Sequence, residues 1–384
     1  MTKSFEISIN PDVIKWARES AGFSVEEIAK KLKISTENYK KIEKGEKKPT
    51  FRQIENLSHF FKRPTAVFLL PKPPEEPSIA TSFRVIPKSE KELSKEIRLA
   101  IRKARYYQEI TNELMKELGL HPKAQVPEAN ISDNPFSLAK KQREKCGIPI
   151  EEQFRFKSAY TAFSKWREIV EAQNILVFQF NFSLESARGF SLMDNDPPAI
   201  VINSADNILA RIFTLFHEYA HILLNMPEIY TEEETINQYI EVENWCNRFA
   251  SEFLVPEEEL RKEPAYKKFI DRVASLEETL EILSNRFIVS KHAILTKFKA
   301  LNLITQEDYN KKSAKLRERF REERKKSFYN LPSHKRCIQE KGKRFVFFVM
   351  DSQEKGMITS TDAMEYLSLK LEGLKELSKI QLRK

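Results

Sequence analysis

Four prolines in seven residues, Pro71, Pro73, Pro74 and Pro77 of PKPPEEP, constrain this 384-residue chain more than any other stretch. Each proline fixes φ, removes a backbone donor and biases the residue before it away from the helical region, so no helix or sheet ladder can run through the segment. The chain therefore folds as separate bodies on either side of a stiff, extended spacer. Its length suits two or three domains, each able to bury a core without disulfides or metals as staples. With 41% hydrophobic and 32% charged residues and only 8 Gly, wholesale disorder and Gly-rich fibrous structure are excluded.

The residues before the spacer read as a bundle of short helices. Asn10 and Pro11 open the first, with Val13, Ile14 and Ala17 at helical spacing, and it breaks at Ala21-Gly22-Phe23. Ser24 and Glu27 form a capping-box pair for a second helix, with Ile28, Ala29 and Leu32 inward. After a turn at Lys33-Ile34, Ser35 caps a third helix that runs to about Lys44 and ends at Gly45. Two short helices joined by a tight turn are the outline of a helix-turn-helix. Phe51, Ile54, Leu57, Phe60 and Phe61 continue the helical pattern, and the module closes after Pro64–Leu70.

Beyond the spacer, a charged helix is expected from about Glu90 to Leu118, then a loop-rich stretch broken by Pro122, Pro127 and Pro135, with Pro149 further on. A helix over Tyr160–Gln173 precedes two runs rich in β-branched and aromatic residues, Ile175–Phe180 and Ala199–Asn203, which read as strands of a small sheet. Two helices follow: an apolar one over Asn207–Asn225 and a second from about Glu233 to Leu254, stopped by Pro256. The rest is helical and charged. Residues 311–326 hold nine Lys or Arg against three Glu, which reads as a solvated helix or a nucleic-acid patch. Residues 328–384, with the apolar run Phe345–Met350, are expected to be helical, with no function legible in them.

Cys146, Cys246 and Cys337 are far apart, odd in number and in no CxxC spacing, which argues against a disulfide framework or a zinc ribbon and for a reducing compartment. The first residues carry no secretory pattern and nowhere do 18 apolar residues run uninterrupted, so a soluble, cytoplasmic protein with no membrane partner is expected. The net charge of +9 is modest and leaves a nucleic-acid partner open.

The pattern that carries chemistry is His217-Glu218-Tyr219-Ala220-His221, an HExxH. On a helix, residues i and i+4 share a face one turn apart, so both imidazoles can bind one zinc ion while the adjacent Glu218 faces an open coordination position. Phe213, Leu215, Phe216, Ala220, Leu223 and Leu224 make this a core helix, in which two histidines and a glutamate without partners would be costly. The alternative is a solvated helix face with two surface histidines. A zinc hydrolase needs a third protein ligand, and Glu243 on the following helix is the candidate, with Glu241, Glu232, Glu233 and Glu234 as competing carboxylates. Asn247, one turn after Glu243, can hydrogen-bond the outer nitrogen of a ligating histidine.

FTLFHEYAHILLN (213–225) followed by ENWCNRFASEFLVP (243–256) resembles the peptidase signature of the ImmA/IrrE family of zinc metallopeptidases. The second motif of that family has a ligating Glu four residues before an Asn, then FA, LL and P, and Glu243, Asn247, Phe249, Ala250, Leu254 and Pro256 stand at those positions. The resemblance extends back through RGFSLMDNDPPAIVIN (188–203) and to the amino-terminal helix-turn-helix of larger members, an XRE-type repressor fold joined by a Pro-rich linker that RPTAVFLLPKPPEEP (63–77) matches. It spans residues 10 to 310 or so. It implies a mainly α fold with a small β-sheet (α+β): a helix-turn-helix domain at 1–70, a linker at 71–89, a zincin-like peptidase at 90–260 and a second helix-turn-helix-like segment at 261–310. The basic helical region at 311–384 has no assigned role.

The resemblance further implies that His217, His221 and Glu243 hold Zn2+, whose water is acidified to a pKa of roughly 7, and that Glu218 takes the proton and passes it to the leaving amine. Ala199, Ile200, Val201, Ile202 and Asn203 would be the edge strand that pairs with an extended substrate, a partner repressor protein with its own helix-turn-helix. Tyr230, Tyr239 and Arg188 are candidates to stabilise the oxyanion. In the amino-terminal module, Thr36, Asn38, Tyr39 and Lys41, with Glu37 beside them, sit where major-groove readers place base contacts, and Lys40, Lys44, Lys47 and Lys48 can reach phosphates. Val25 and Glu26 depart from the polar start usual in the second helix of such repressors, and Glu27 and Glu37 would face phosphates. The module therefore reads either as a DNA binder or as a docking module for the partner repressor. ETLEILSNRFIVSKHAILTKFKALNLIT (278–305) has a second helix-turn-helix outline, in which His292 is expected at the surface. The expected activity is zinc endopeptidase cleavage of a regulatory protein in a prophage, mobile-element or stress circuit. The competing readings are a non-enzymatic DNA-binding regulator and an antitoxin-like binding protein on the same scaffold.

Overall fold

A computed structural model describes residues 5–75, 94–225, 232–323 and 331–380, the side chains of 232–239 and 317–323 excepted. The chain divides into two compact units, Met1–Tyr106 and Tyr107–Lys384.

The first unit contains α1 (Pro11–Ser20), α2 (Val25–Leu32), α3 (Thr36–Glu43), α4 (Phe51–Phe61), a 3-10 turn (Thr65–Leu69) and the beginning of α5 (Lys95–Glu117). Each helix starts where a side chain satisfies its orphan amides: Asn10 caps α1 with Pro11 at the first position, Ser24 and Glu27 form the capping box of α2, Ser35 caps α3, and Thr50 with Gln53 caps α4. Ile14, Ala17, Ile28, Ala29, Ile42, Ile54, Leu57, Phe61 and Phe68 close one core. Tyr39 belongs to it, fully buried, because it lies three residues before Ile42 on the inner face of α3. Of the residues expected to read DNA or a partner, Tyr39 is thus excluded. Arg18, inside this core, is held by Glu43 at 2.7 Å and by the Phe23 carbonyl.

The second unit continues α5 and adds α6 (Pro135–Lys145), α7 (Ile150–Phe154), α8 (Ala159–Glu171), β1 (Leu176–Phe180), β2 (Gly189–Leu192), β3 (Ala199–Asn203), α9 (Ile208–Leu224) and α10 (Glu232–Leu254). Then come α11 (Glu257–Leu260), α12 (Pro264–Ile270), α13 (Leu276–Phe287), α14 (Lys291–Ala300), α15 (Gln306–Glu323), α16 (Ser333–Lys341), α17 (Lys343–Glu354), α18 (Ser360–Leu367) and α19 (Leu371–Ser378). The fold is mainly α with one small sheet, as expected. The sheet order is β1-β3-β2, with β3 parallel to β1 and antiparallel to β2. The expectation that Ala199–Asn203 is an edge strand is therefore overturned: β3 is central, its amides and carbonyls engaged on both sides. The edge facing away from β1 is β2, whose four residues, one of them Gly, carry little period-2 signal.

The sheet is covered on both faces, which explains why β1 and β3 are apolar without alternation. Val177, Ile200 and Ile202 join the main core with residues of α8, α9 and α10. On the other face Phe178 lies 5.4 Å from Tyr107 of α5 and 6.2 Å from Phe345 of α17. The region beyond residue 330 is thus a layer of the same domain. It also closes the β1 edge: Gln179 and Arg167 both donate to the Gln339 carbonyl at 2.7 Å. Gly342 (φ +86°) ends α16 where any Cβ would overlap the Glu171 carboxylate.

Candidate metal centre

α9 begins at Asn207, whose side chain accepts from the Leu209 amide, and ends at Asn225 in the left-handed conformation. Its apolar residues pack against α8, α10 and the sheet, with Phe216 stacked on Phe253 of α10 at 4.1 Å. On the helix's far side from the metal donors, the Tyr219 hydroxyl donates to Gln173 Oε1 at 2.8 Å. α10 has no glycine cap before Pro256; instead Arg143 donates to the Phe253 carbonyl at 2.7 Å and Gln153 to that of Leu254 at 3.0 Å, while Glu252 pairs with the buried Lys297 of α14. Trp245 donates to the Asp133 carbonyl at 2.8 Å. These bonds fix the axial position of both helices, and the site is set between them.

His217, His221 and Glu243 converge there. His217 Nε2 and His221 Nε2 are 3.2 Å apart, and Glu243 reaches the first at 3.3 Å through Oε2 and the second at 3.2 Å through Oε1. A tetrahedral ion with bonds of about 2.0–2.1 Å requires donor atoms about 3.3–3.4 Å apart. The imidazole pair fits that edge length, each imidazole faces its own Glu243 oxygen, and one donor atom from each residue lies within 4.8 Å of the other two, so the residues present suit a metal ion bound by two imidazoles and a carboxylate. Asn247 Oδ1 stands 3.1 Å from His217 Nδ1. It accepts the Nδ1 proton, which leaves the Nε2 lone pair aimed at the cluster. Burial alone would raise the Glu243 carboxyl, but hydrogen bonds and charge from His217 and His221 outweigh it and hold Glu243 well below the usual carboxylate range. Desolvation works against the protonated His217 ring, and the contact with Glu243 reverses the balance and raises it. His217 and Glu243 keep part of their side-chain surface open to solvent, as a site with an outside ligand needs.

Glu218 is buried next to the donors on α9. Gly189 of β2 approaches it closely: a Cβ at 189 would stand 2.5 Å from Thr214 Cγ2 and 3.5 Å from Glu218 Cγ. Gly189 was not among the residues singled out in the sequence; the only signal was a glycine at the head of an apolar run.

The other expectations fare unevenly. Glu241 is exposed and outside the cluster, and the side chains of Glu232, Glu233, Glu234, Tyr230 and Tyr239 lie outside the described residues. Arg188 is held 2.6 Å from the buried Asp206. His292 is half-buried and bonds Ser313 Oγ at 2.9 Å. Thr36 and Asn38 are half-exposed, and Lys41 is exposed beside Glu37 at 3.0 Å. Glu27, which would face phosphates in a standard docking, is bound by Lys95 at 2.5 Å.

Residues 170–299 match the Peptidase M78 family, described as the IrrE N-terminal-like domain, and residues 14–68 match a helix-turn-helix family. The first match spans the sheet, the α9–α10 pair and α13–α14; the second spans α1 to the 3-10 turn. Neither a curated protein nor a solved structure matches the chain significantly. Among the described residues no helix is long and apolar enough to cross a membrane.

Proposed function

We propose, from the premise that this chain belongs to the ImmA/IrrE-type metallopeptidases that carry an amino-terminal helix-turn-helix, that it is a zinc-dependent endopeptidase acting on a regulatory protein. The observation that supports this most is the convergence of His217, His221 and Glu243, one donor atom of each lying within 4.8 Å of the others. Two imidazoles and one carboxylate suit zinc and leave one position for a reactant. Zinc bound there would supply Lewis acidity toward water and a peptide carbonyl. Glu218, buried beside the donors on α9, takes the proton removed from water and passes it to the leaving amine. Asn247 keeps His217 in the tautomer that binds metal.

The substrate strand is reassigned from β3 to β2. The Asn203 amide donates to the Arg188 carbonyl at 2.8 Å, and in an antiparallel pair inward and outward groups alternate. Gly189 and Ser191 therefore turn their N–H and C=O away from β3, toward a side on which no described residue forms a strand. An extended peptide added there pairs with backbone beside the metal donors, a mode that needs an unfolded stretch of the substrate. The helix-turn-helix unit supplies recognition. Its exposed Lys40, Lys44, Lys47 and Lys48 favour an anionic surface such as DNA, since Glu27, Glu37 and Glu43 are each neutralised by Lys95, Lys41 and Arg18. A repressor carrying its own helix-turn-helix is the substrate this arrangement serves.

The test is Glu218→Gln in zinc-loaded protein, with cleavage of a proteome-derived peptide mixture read by mass spectrometry. The variant should keep its zinc and lose cleavage. Cleavage retained at the native rate would remove Glu218 as the base.

A further inference from the structure

Around α9 the sheet strands follow in order. Arg211 reaches Gln179 of β1 at 3.0 Å, and Thr214 and Glu218, one turn apart, lie under Gly189 of β2. One residue earlier on each turn, about 100° further round the axis, stand Phe213 and His217, their rings stacked with centroids 6.4 Å apart. Leu209 lies one turn before Phe213 on the same stripe. Both apolar side chains pack partly on the core and keep part of their surface open. This is the stripe over which a strand added to the outer side of β2 would run.

The geometry points to Phe213, with Leu209 behind it, as the floor of an apolar subsite next to the metal donors, selecting a substrate residue with an aromatic or branched aliphatic side chain beside the scissile bond. The inference rests on the peptidase reading and on β2 as the pairing edge. A peptide paired with β2 turns alternate side chains toward α9, and the one that descends beside His217 meets the partly open apolar surface of Phe213 and Leu209. A benzyl or isobutyl group covers the exposed part of Phe213 and Leu209, whereas a carboxylate set over that apolar surface would lose water against it. A lone exposed aromatic is ordinary. What distinguishes Phe213 is its stacking on a ligand histidine, within one side chain's reach of the bond to be cut.

The experiment uses full-length, zinc-loaded protein and three peptidyl hydroxamates of equal length whose side chain next to the zinc-binding group is benzyl, isobutyl or carboxymethyl, with Kd measured by calorimetry. The benzyl and isobutyl compounds should bind about tenfold or more tighter than the carboxymethyl one. Phe213→Ala, with zinc content unchanged, should bring the three to within about twofold of one another. Phe213→Leu, which keeps an apolar floor and guards against a folding defect in the alanine variant, should retain the isobutyl preference. Equal affinities in the native chain, or a preference that survives in Phe213→Ala, would overturn the subsite, and binding of none of the three would remove the open site it requires. A preserved preference in a protein that cuts no peptide would leave the subsite standing and count against the peptidase reading instead.

Discussion

Two helix pairs in this molecule obey the same local grammar and end in opposite environments. α2–α3 turns at Lys33 (φ +57°) and restarts at Ser35; α13–α14 turns at Ile288 (φ +54°) and restarts at Ser290, with identical spacing between left-handed residue and cap. Yet α3 leaves Glu37, Lys40, Lys41 and Lys44 exposed, while Ala293 to Phe298 of α14 are buried without a break, Lys297 included. Turn chemistry specifies the hairpin of helices; burial decides whether its second helix can meet a ligand. The helix-turn-helix outline at 278–305 is a core element that braces α10, and the one at 24–44 is a surface one.

The largest effect that would sharpen this contrast comes from ending the chain after residue 330. The loss of α16 and α17 would strip Tyr107 and Phe178 of Phe345 and open the β1 edge, so the truncated protein should be insoluble or lack a cooperative melting transition; a soluble, zinc-binding product would contradict the single-domain account of this region. Next, Lys297→Met leaves the buried Glu252 without its cation, with only the Glu257 amide as donor among the described residues, and should destabilise by about 3–5 kcal/mol in denaturant melts, partly recovered by adding Glu252→Gln. A change as small as that of an exposed lysine would place α14 on the surface. At the metal centre, Asn247→Ala should weaken zinc binding by about 10–100-fold, read by competition with a chromogenic chelator, because His217 loses the partner that sets its tautomer. The caps should behave alike despite the environments, Ser35→Ala and Ser290→Ala each costing about 1 kcal/mol. The smallest stability effect is expected for Lys40→Ala with Lys44→Ala, which should leave the melting temperature in place. If α3 meets nucleic acid, the pair should also flatten the salt dependence of binding to a DNA duplex by about two units of log–log slope; an unchanged slope would favour protein docking.

Much of the site was legible before any coordinates. HExxH on an apolar helix and a Glu four residues before an Asn on the next one are helix-period signals, and periodicity of that kind survives folding because both partners sit on single elements. The caps at Asn10, Ser24 and Ser35 were equally plain, since each depends on neighbours within three residues. What escaped was non-local. Tyr39 looks like a base-reading position by its place in α3, and only packing against the other helices turns it inward. β3 is the pairing edge only by the family resemblance, which carries no information on strand order; the sheet holds this apolar strand in the centre and leaves the weak one, Gly189–Leu192, outside. The role of α16 and α17 depends on contacts with residues some 170 positions earlier, such as that of Arg167 with the Ile338 carbonyl, which no local pattern encodes.

The central claim is that His217, His221 and Glu243 form one zinc site between α9 and α10. Elemental analysis of protein purified without chelator, native beside His217→Ala, tests it directly. The account predicts about one zinc per native chain, in line with a closed set of three protein donors, and loss of that zinc in a variant that melts as a folded protein. No zinc in the native chain, or the same zinc content in both, would contradict it.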